Sequence, residues 1–164
     1  MRKTFILPLA LLLILAWALP ALAAEDAGKF KDIKILDDVM VFVDVEGGGL
    51  TAEEVRTYAI DSFVRHMRGM LVNNDAVVDN YPAEGYELRN VGYIIMKIMD
   101  IRTKAGLNVY HLDFEFGIPP REVYWDTATM GVAPTSRELK KEVLEDVDEV
   151  MEKFAADFYR IRGE

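Results

Sequence analysis

Between Val109 and Trp125 the chain reads Val-Tyr-His-Leu-Asp-Phe-Glu-Phe-Gly-Ile-Pro-Pro-Arg-Glu-Val-Tyr-Trp, and its first half alternates strictly. Tyr110, Leu112, Phe114 and Phe116 fall on one side, and Val109, His111, Asp113 and Glu115 on the other. Side chains on a strand alternate with period two, so one face is oily and the other wet. Gly117 and Pro119-Pro120 interrupt the run, and Arg121 to Trp125 resumes it with Val123 and Trp125 in phase. The pattern predicts a β-hairpin or bent meander whose aromatic face must be covered. Every other element has to be its neighbour or its lid.

Neighbours are present on both sides. In Phe30 to Glu46, four valines (Val39, Val41, Val43, Val45) alternate with Met40, Phe42, Asp44 and Glu46, a strand with one inner face and a second that is partly covered. Gly47-Gly48-Gly49 ends it as a turn; the lysine and Ser/Thr of a phosphate loop are missing. Val91 to Thr103 is apolar at nearly every position, the mark of a strand covered on both faces or central in a sheet. Lys104 to Asn108 turns it back into the aromatic strand, giving an antiparallel pair. Ala76-Val77-Val78 is a candidate short strand inside the turn-rich stretch from Leu71 to Arg89.

Two segments can form the lid. Thr51 and Glu54 make a capping box, and a helix to about Met70 carries Val55, Ala59, Ser62, Phe63, His66, Met67 and Met70 along one stripe. Thr135 and Glu138 make a second box, opening a helix to about Arg160 with Leu139, Val143, Val147, Val150, Phe154 and Phe158 on its inner side. Its charged residues, among them Lys140, Glu145, Asp148 and Glu149, are assigned to the water side. Asp126 to Pro134 is a connector of polar and small residues between Trp125 and this helix. The expected fold is therefore α+β: a two-layer sandwich with a mostly antiparallel sheet of about four strands and two helices on one face.

The amino terminus sets the compartment. Met1-Arg2-Lys3, an apolar run from Phe5 to Leu19, then Pro20 and Ala21-Leu22-Ala23-Ala24 make a secretory signal peptide. We expect residues 1–23 to be removed near Ala23, leaving 24–164 as a single domain that is periplasmic or secreted. Its membrane contact is limited to that peptide before cleavage. The chain has no cysteine, so packing rather than disulfides must hold it, and 51% apolar composition permits this. Loss of Arg2 and Lys3 takes the formal charge from −9 to −11, a balance that repels nucleic acid and anionic membranes.

From the Tyr110-His111-Leu112 strand through Trp125, a small-residue loop and a terminal helix ending near Phe154 to Tyr159, the chain resembles small exported bacterial α+β domains of unassigned function. Its element order over roughly Phe30 to Ile161 is similar to that of the ABC-transport auxiliary lipoproteins and related periplasmic modules. The resemblance implies a role in envelope assembly. It departs from the lipoproteins in lacking a lipid-attachment cysteine, and it assigns a role to no residue.

No catalytic or cofactor motif stands out, and no cofactor is expected. His111, Asp113 and Glu115 share one side of a strand, but at i, i+2, i+4 they stand roughly 7 Å apart and a metal would need an inward bend or ligands from Asp44 and Glu46. The alternative is a solvated polar face. His66 is expected to be a hydrogen-bonded packing residue. Tyr124, Trp125, Asp126, Thr127 and Thr129 form a candidate binding surface beside the sheet, against a reading in which Trp125 fills the core under the last helix.

Three functions stay open. The first is a non-catalytic binding or envelope-assembly module that contacts another envelope protein through a sheet edge or the segment after Trp125. The second is a carrier of a small apolar ligand or lipid, with Met67, Met70, Met96, Met99 and Met151 lining a pocket between sheet and helices. The third is a metal-dependent hydrolase around His111.

Overall fold

The computed structural model describes residues 38–68, 71–72, 91–119 and 122–163. The expected signal peptide and the short strand expected at Ala76 to Val78 lie outside these residues. The elements run β1 (Asp38–Glu46), α1 (Ala52–His66), β2 (Leu71–Val72), β3 (Val91–Arg102), β4 (Asn108–Ile118), β5 (Glu122–Ala133) and α2 (Ser136–Arg162). They form a five-stranded sheet in the order β2-β1-β3-β4-β5.

The α+β class is as expected, with four long strands and both helices on one face; the two-residue β2 adds a fifth strand at one edge. The sheet is mixed. β1 lies parallel to β3, with Val41 opposite Ile94, while β3-β4 and β4-β5 are antiparallel. A parallel neighbour cannot be reached by a tight turn, so α1 and the segment after it carry the chain across.

One core unites the layers. Val39, Val41, Ile94, Met96, Ile98, Tyr110, Leu112, Phe114 and Phe116 project from the sheet into Val55, Ala59 and Phe63 of α1 and Leu139, Val143, Val147, Phe154 and Phe158 of α2. Trp125 joins them, meeting Phe114 edge-on at 5.2 Å and Phe154 at 5.6 Å between ring centroids. Edge-to-face contact suits the ring quadrupoles and adds to the area such rings bury.

Both threonines cap their helices as expected, with each glutamate carboxylate accepting from the threonine hydroxyl. The Thr51 hydroxyl accepts from Glu54 N at 3.3 Å, and the Thr135 hydroxyl accepts from Glu138 N at 3.2 Å. The helices run parallel, in a register that joins Glu54 to Lys140 and Ser62 to Asp148. Helix α1 ends at His66 rather than Met70: Met67 turns to extended backbone and buries its side chain, and the chain enters β2 at Leu71.

The expected connector at Asp126 to Pro134 is corrected, because β5 continues through it to Ala133. Its alternation is carried by small residues, which a hydrophobicity pattern does not register. Thr127, Thr129 and Gly131 pair with Phe114, Leu112 and Tyr110 of the helix-covered side, and Ala133 is buried. Val123 and Trp125 are also not in phase. The β4-β5 register slips between Phe116 and Gly117, so Trp125 pairs with Phe116 while Val123 pairs with Gly117. A bulge of this kind adds one residue to a strand and re-aims the side chains that follow it.

Candidate functional site: the open sheet face and its edge strand

Both helices lie on one side of the sheet; among the described residues the other side is exposed over much of its area, although Tyr93 there is buried. Strand alternation and register lay out its side chains in rows. Phe42, Ile95, Glu115 and Asp126 form one row across β1, β3, β4 and β5; Asp44, Lys97, Asp113 and Ala128 form the next. Glu46, Met99, His111 and Met130 form the third, and Ile101, Val109 and Val132 the last. The middle of the face is charged and the far end apolar. Met99, Ile101, Met130 and Val132 there are 52%, 58%, 69% and 53% exposed, so burial does not account for them. Of the two readings of β3, covered on both faces or central in the sheet, the second holds: β3 is the middle strand, and its second face is exposed at Met99 and Ile101.

His111, Asp113 and Glu115 share this face as expected, but they do not converge. His111 Nδ1 stands 3.6 Å from Asp113 Oδ2, while Glu115 accepts from the Tyr93 hydroxyl at 3.4 Å. No group of three or more His, Asp or Glu side chains among the described residues is placed to hold a metal ion.

The candidate binding set divides along β5. Asp126 is exposed on the open face, and Tyr124 is half-buried at the bulge. Trp125 is buried and its Nε1 donates to Asp157 Oδ2 at 3.1 Å, so it is a core residue beneath α2. Thr129 turns to the helix side and donates to Asp146 Oδ2 at 3.3 Å; Thr127 lines a shallow cleft there with Glu149 and Lys153. These five residues lie on a strand, on opposite faces, and do not make one loop surface.

Two helix residues carry contacts that their place in the sequence does not announce. Asp146 also accepts from the Tyr110 hydroxyl at 2.7 Å; burial and this carboxylate push the phenol well above its ordinary pKa. Asp148, assigned to the water side, sits instead between the helices. It accepts from Ser62 Oγ and lies 3.1 Å from both His66 Nε2 and Arg65 Nη2. The Ser62 hydrogen bond, with His66 and Arg65, holds its carboxyl below the usual range against the opposing effect of burial. Serine and histidine both meet the same carboxylate oxygen, so the cluster is a clamp between helices. His66 is the packing histidine that the sequence predicts.

The glycine turn is likewise filled from within. Asp100 Oδ1 and Oδ2 accept from Gly48 N at 3.4 Å and Gly49 N at 3.3 Å. A carboxylate of the chain occupies the position a phosphate would take.

The methionines expected to line a carrier pocket do not share a surface. Met67, Met96 and Met151 are packed into the core, whereas Met99 lies on the open face; the Met70 side chain is outside the described residues. No helix among the described residues is long and apolar enough to cross a membrane.

Fold and site together define a small α+β domain with one sheet face covered by two parallel helices and the other exposed, among the described residues, at Phe42, Met99, Ile101, Met130 and Val132. No family model matches the chain, and no curated protein matches it significantly. Solved structures do. The chain is similar to a point variant of the PelC dodecamer from Paraburkholderia phytofirmans, at 13% identity and a TM-score of 0.50 over 72% of this chain and 86% of that one. A further crystal form of the PelC dodecamer from the same organism matches at 12% identity and a TM-score of 0.46, over the same shares. An uncharacterized protein matches at 6% identity and a TM-score of 0.40, over 78% of this chain and 94% of that one. At such identities the likeness is one of fold.

Proposed function

We propose that the chain is an exported, non-catalytic binding or assembly module of the cell envelope. Its contact surface is the outer edge of β5 together with the apolar end of the open face. The observation that carries this reading is the edge itself. β5 is twelve residues long and stands last in the sheet order, with no strand beyond it among the described residues. Edge strands are usually blunted with lysine, proline or a covering element, because their free N–H and C=O groups template another strand. From Asp126 to Ala133 there is no lysine, arginine or proline, and Ala128, Met130 and Val132 stand exposed along this part of the edge. A partner strand needs such an edge.

Export rests on the amino-terminal pattern of basic start, apolar run and small-residue junction. The partner we propose is another envelope protein, the role implied by the likeness of element order to the ABC-transport auxiliary lipoproteins. PelC, a structure of comparable fold, is named as a dodecamer, so a second copy of this chain is the first partner to test.

The test combines sedimentation of the purified protein with photocrosslinking from positions 128 and 132 in intact cells. The wild type should sediment as a multimer or crosslink to one defined envelope partner. The double variant Ala128→Lys, Val132→Lys, shown folded by circular dichroism, should do neither. A wild type that stays monomeric without crosslinks, or a variant that associates as the wild type does, rejects the edge as the contact surface.

A further inference from the structure

We propose that Met99, His111 and Met130 form a binding site for a soft monovalent cation, Cu(I) or its analogue Ag(I). The register brings them together. Met99 is the partner of His111 across β3 and β4, and His111 is the partner of Met130 across β4 and β5. Directly opposed side chains on adjacent strands start about 5 Å apart at Cβ, so the two thioethers flank the imidazole from either side on one face of the sheet. All three are accessible: the His111 side chain is 42% exposed, and both methionines are more than half exposed. An unbranched thioether can then swing its sulfur over the ring without disturbing the core.

The chemistry of the donor set selects the ion. Hard divalent cations take oxygen ligands, and zinc takes thiolates and imidazoles in a closed tetrahedron. Two thioethers and one imidazole suit Cu(I). The surroundings favour a cation, since Glu46 stands opposite Met99, and Asp44 and Asp113 border the same shallow depression. Lys97 is the one lysine of that depression, and it is flanked in register by Asp44 and Asp113. Asp113 Oδ2 lies 3.6 Å from His111 Nδ1, which leaves the other ring nitrogen, Nε2, as the candidate ligand atom. A carboxylate beside the second ring nitrogen helps to hold a ligating histidine in place. The chain also lacks cysteine. Where thiols are drawn into disulfides, a thioether remains available to a soft ion.

The site does not depend on the assembly reading. Ala128→Lys, Val132→Lys leaves all three ligands in place and should bind the ion at least as tightly as the wild type, because self-association would cover Met99 and Met130. The experiment titrates the purified protein with Cu(I), kept reduced and competed against a chromogenic Cu(I) chelator. In parallel, Ag(I) is added to protein carrying 13C-methyl methionine and followed by NMR. We expect one equivalent to bind, with the Met99 and Met130 methyl signals moving and those of Met96 and Met151 staying in place. Met99→Leu, Met130→Leu and His111→Gln should each weaken binding about tenfold or more, and Asp113→Asn by about the same factor or less. Methyl signals of Met99 and Met130 that ignore Ag(I), or a folded Met99→Leu, Met130→Leu double variant that competes for Cu(I) as well as the wild type, overturn the site.

Discussion

Single side chains settle how the two helices stay on the sheet, and Asp148 is the most exposed to test. Its carboxyl is held below the ordinary aspartate value, first by Ser62 and then by His66 and Arg65. A depressed folded-state pKa contributes stability in full above the unfolded value, near 4, and that contribution is lost as pH falls through the lower folded value. We therefore expect wild-type urea midpoints to drop through this acid range and Asp148→Asn to start lower and drop less, the two curves converging at low pH. Parallel curves would show that Asp148 is not linked to folding. A second residue test concerns Gly47, whose φ is +144°. A Cβ placed there would lie 2.3 Å from Asp100 Oδ2, the group that accepts from the next two amides. Gly47→Ala combines backbone strain with displacement of that carboxylate and should cost about 1–3 kcal/mol by chemical denaturation. Gly48→Ala, with nothing within 4 Å of its new methyl, should cost clearly less.

At the scale of elements, legibility followed the size of the inward side chains. β4 declared itself because its inner residues are Tyr110, Leu112, Phe114 and Phe116. The second half of β5 did not, because its inner positions are Thr127, Thr129, Gly131 and Ala133. Those residues are small for a reason that only the assembled molecule supplies. A Cβ on Gly131 would fall 2.3 Å from the Tyr110 ring, which crosses it to reach Asp146, and Thr129 meets the same carboxylate. The slip that separates Val123 from Trp125 is equally silent in the sequence, since a bulge changes register without changing composition. Helix starts were legible because a capping box is local chemistry. Thr135→Ala removes the hydroxyl that accepts from Glu138 N, and it should cost about 1 kcal/mol in thermal or urea unfolding. Thr135→Ser, which keeps the acceptor, should restore most of that loss. Equal losses in both variants would assign the effect to the Thr135 methyl instead.

For the whole molecule, the two-layer plan has a consequence that charge makes measurable. Placing both helices on one face buries Phe114, Trp125, Val147 and Phe154 and leaves much of the opposite face exposed among the described residues, with an acidic centre and an apolar end. The chain carries a formal charge of −9. Copies of such a domain repel one another over a range set by salt, about 8 Å at physiological ionic strength and less above it. Contact through the β5 edge and the Met99, Ile101, Met130 and Val132 end would rest on backbone pairing and apolar burial, which salt does not screen. Self-association should therefore strengthen as salt rises from low to high, seen as an increase in sedimentation coefficient at fixed protein concentration. The Ala128→Lys, Val132→Lys variant should show no such rise. An interface held by ion pairs between copies would respond in the opposite sense, weakening with salt, and that result would move the contact away from this end of the sheet to the charged surfaces of α1 and α2.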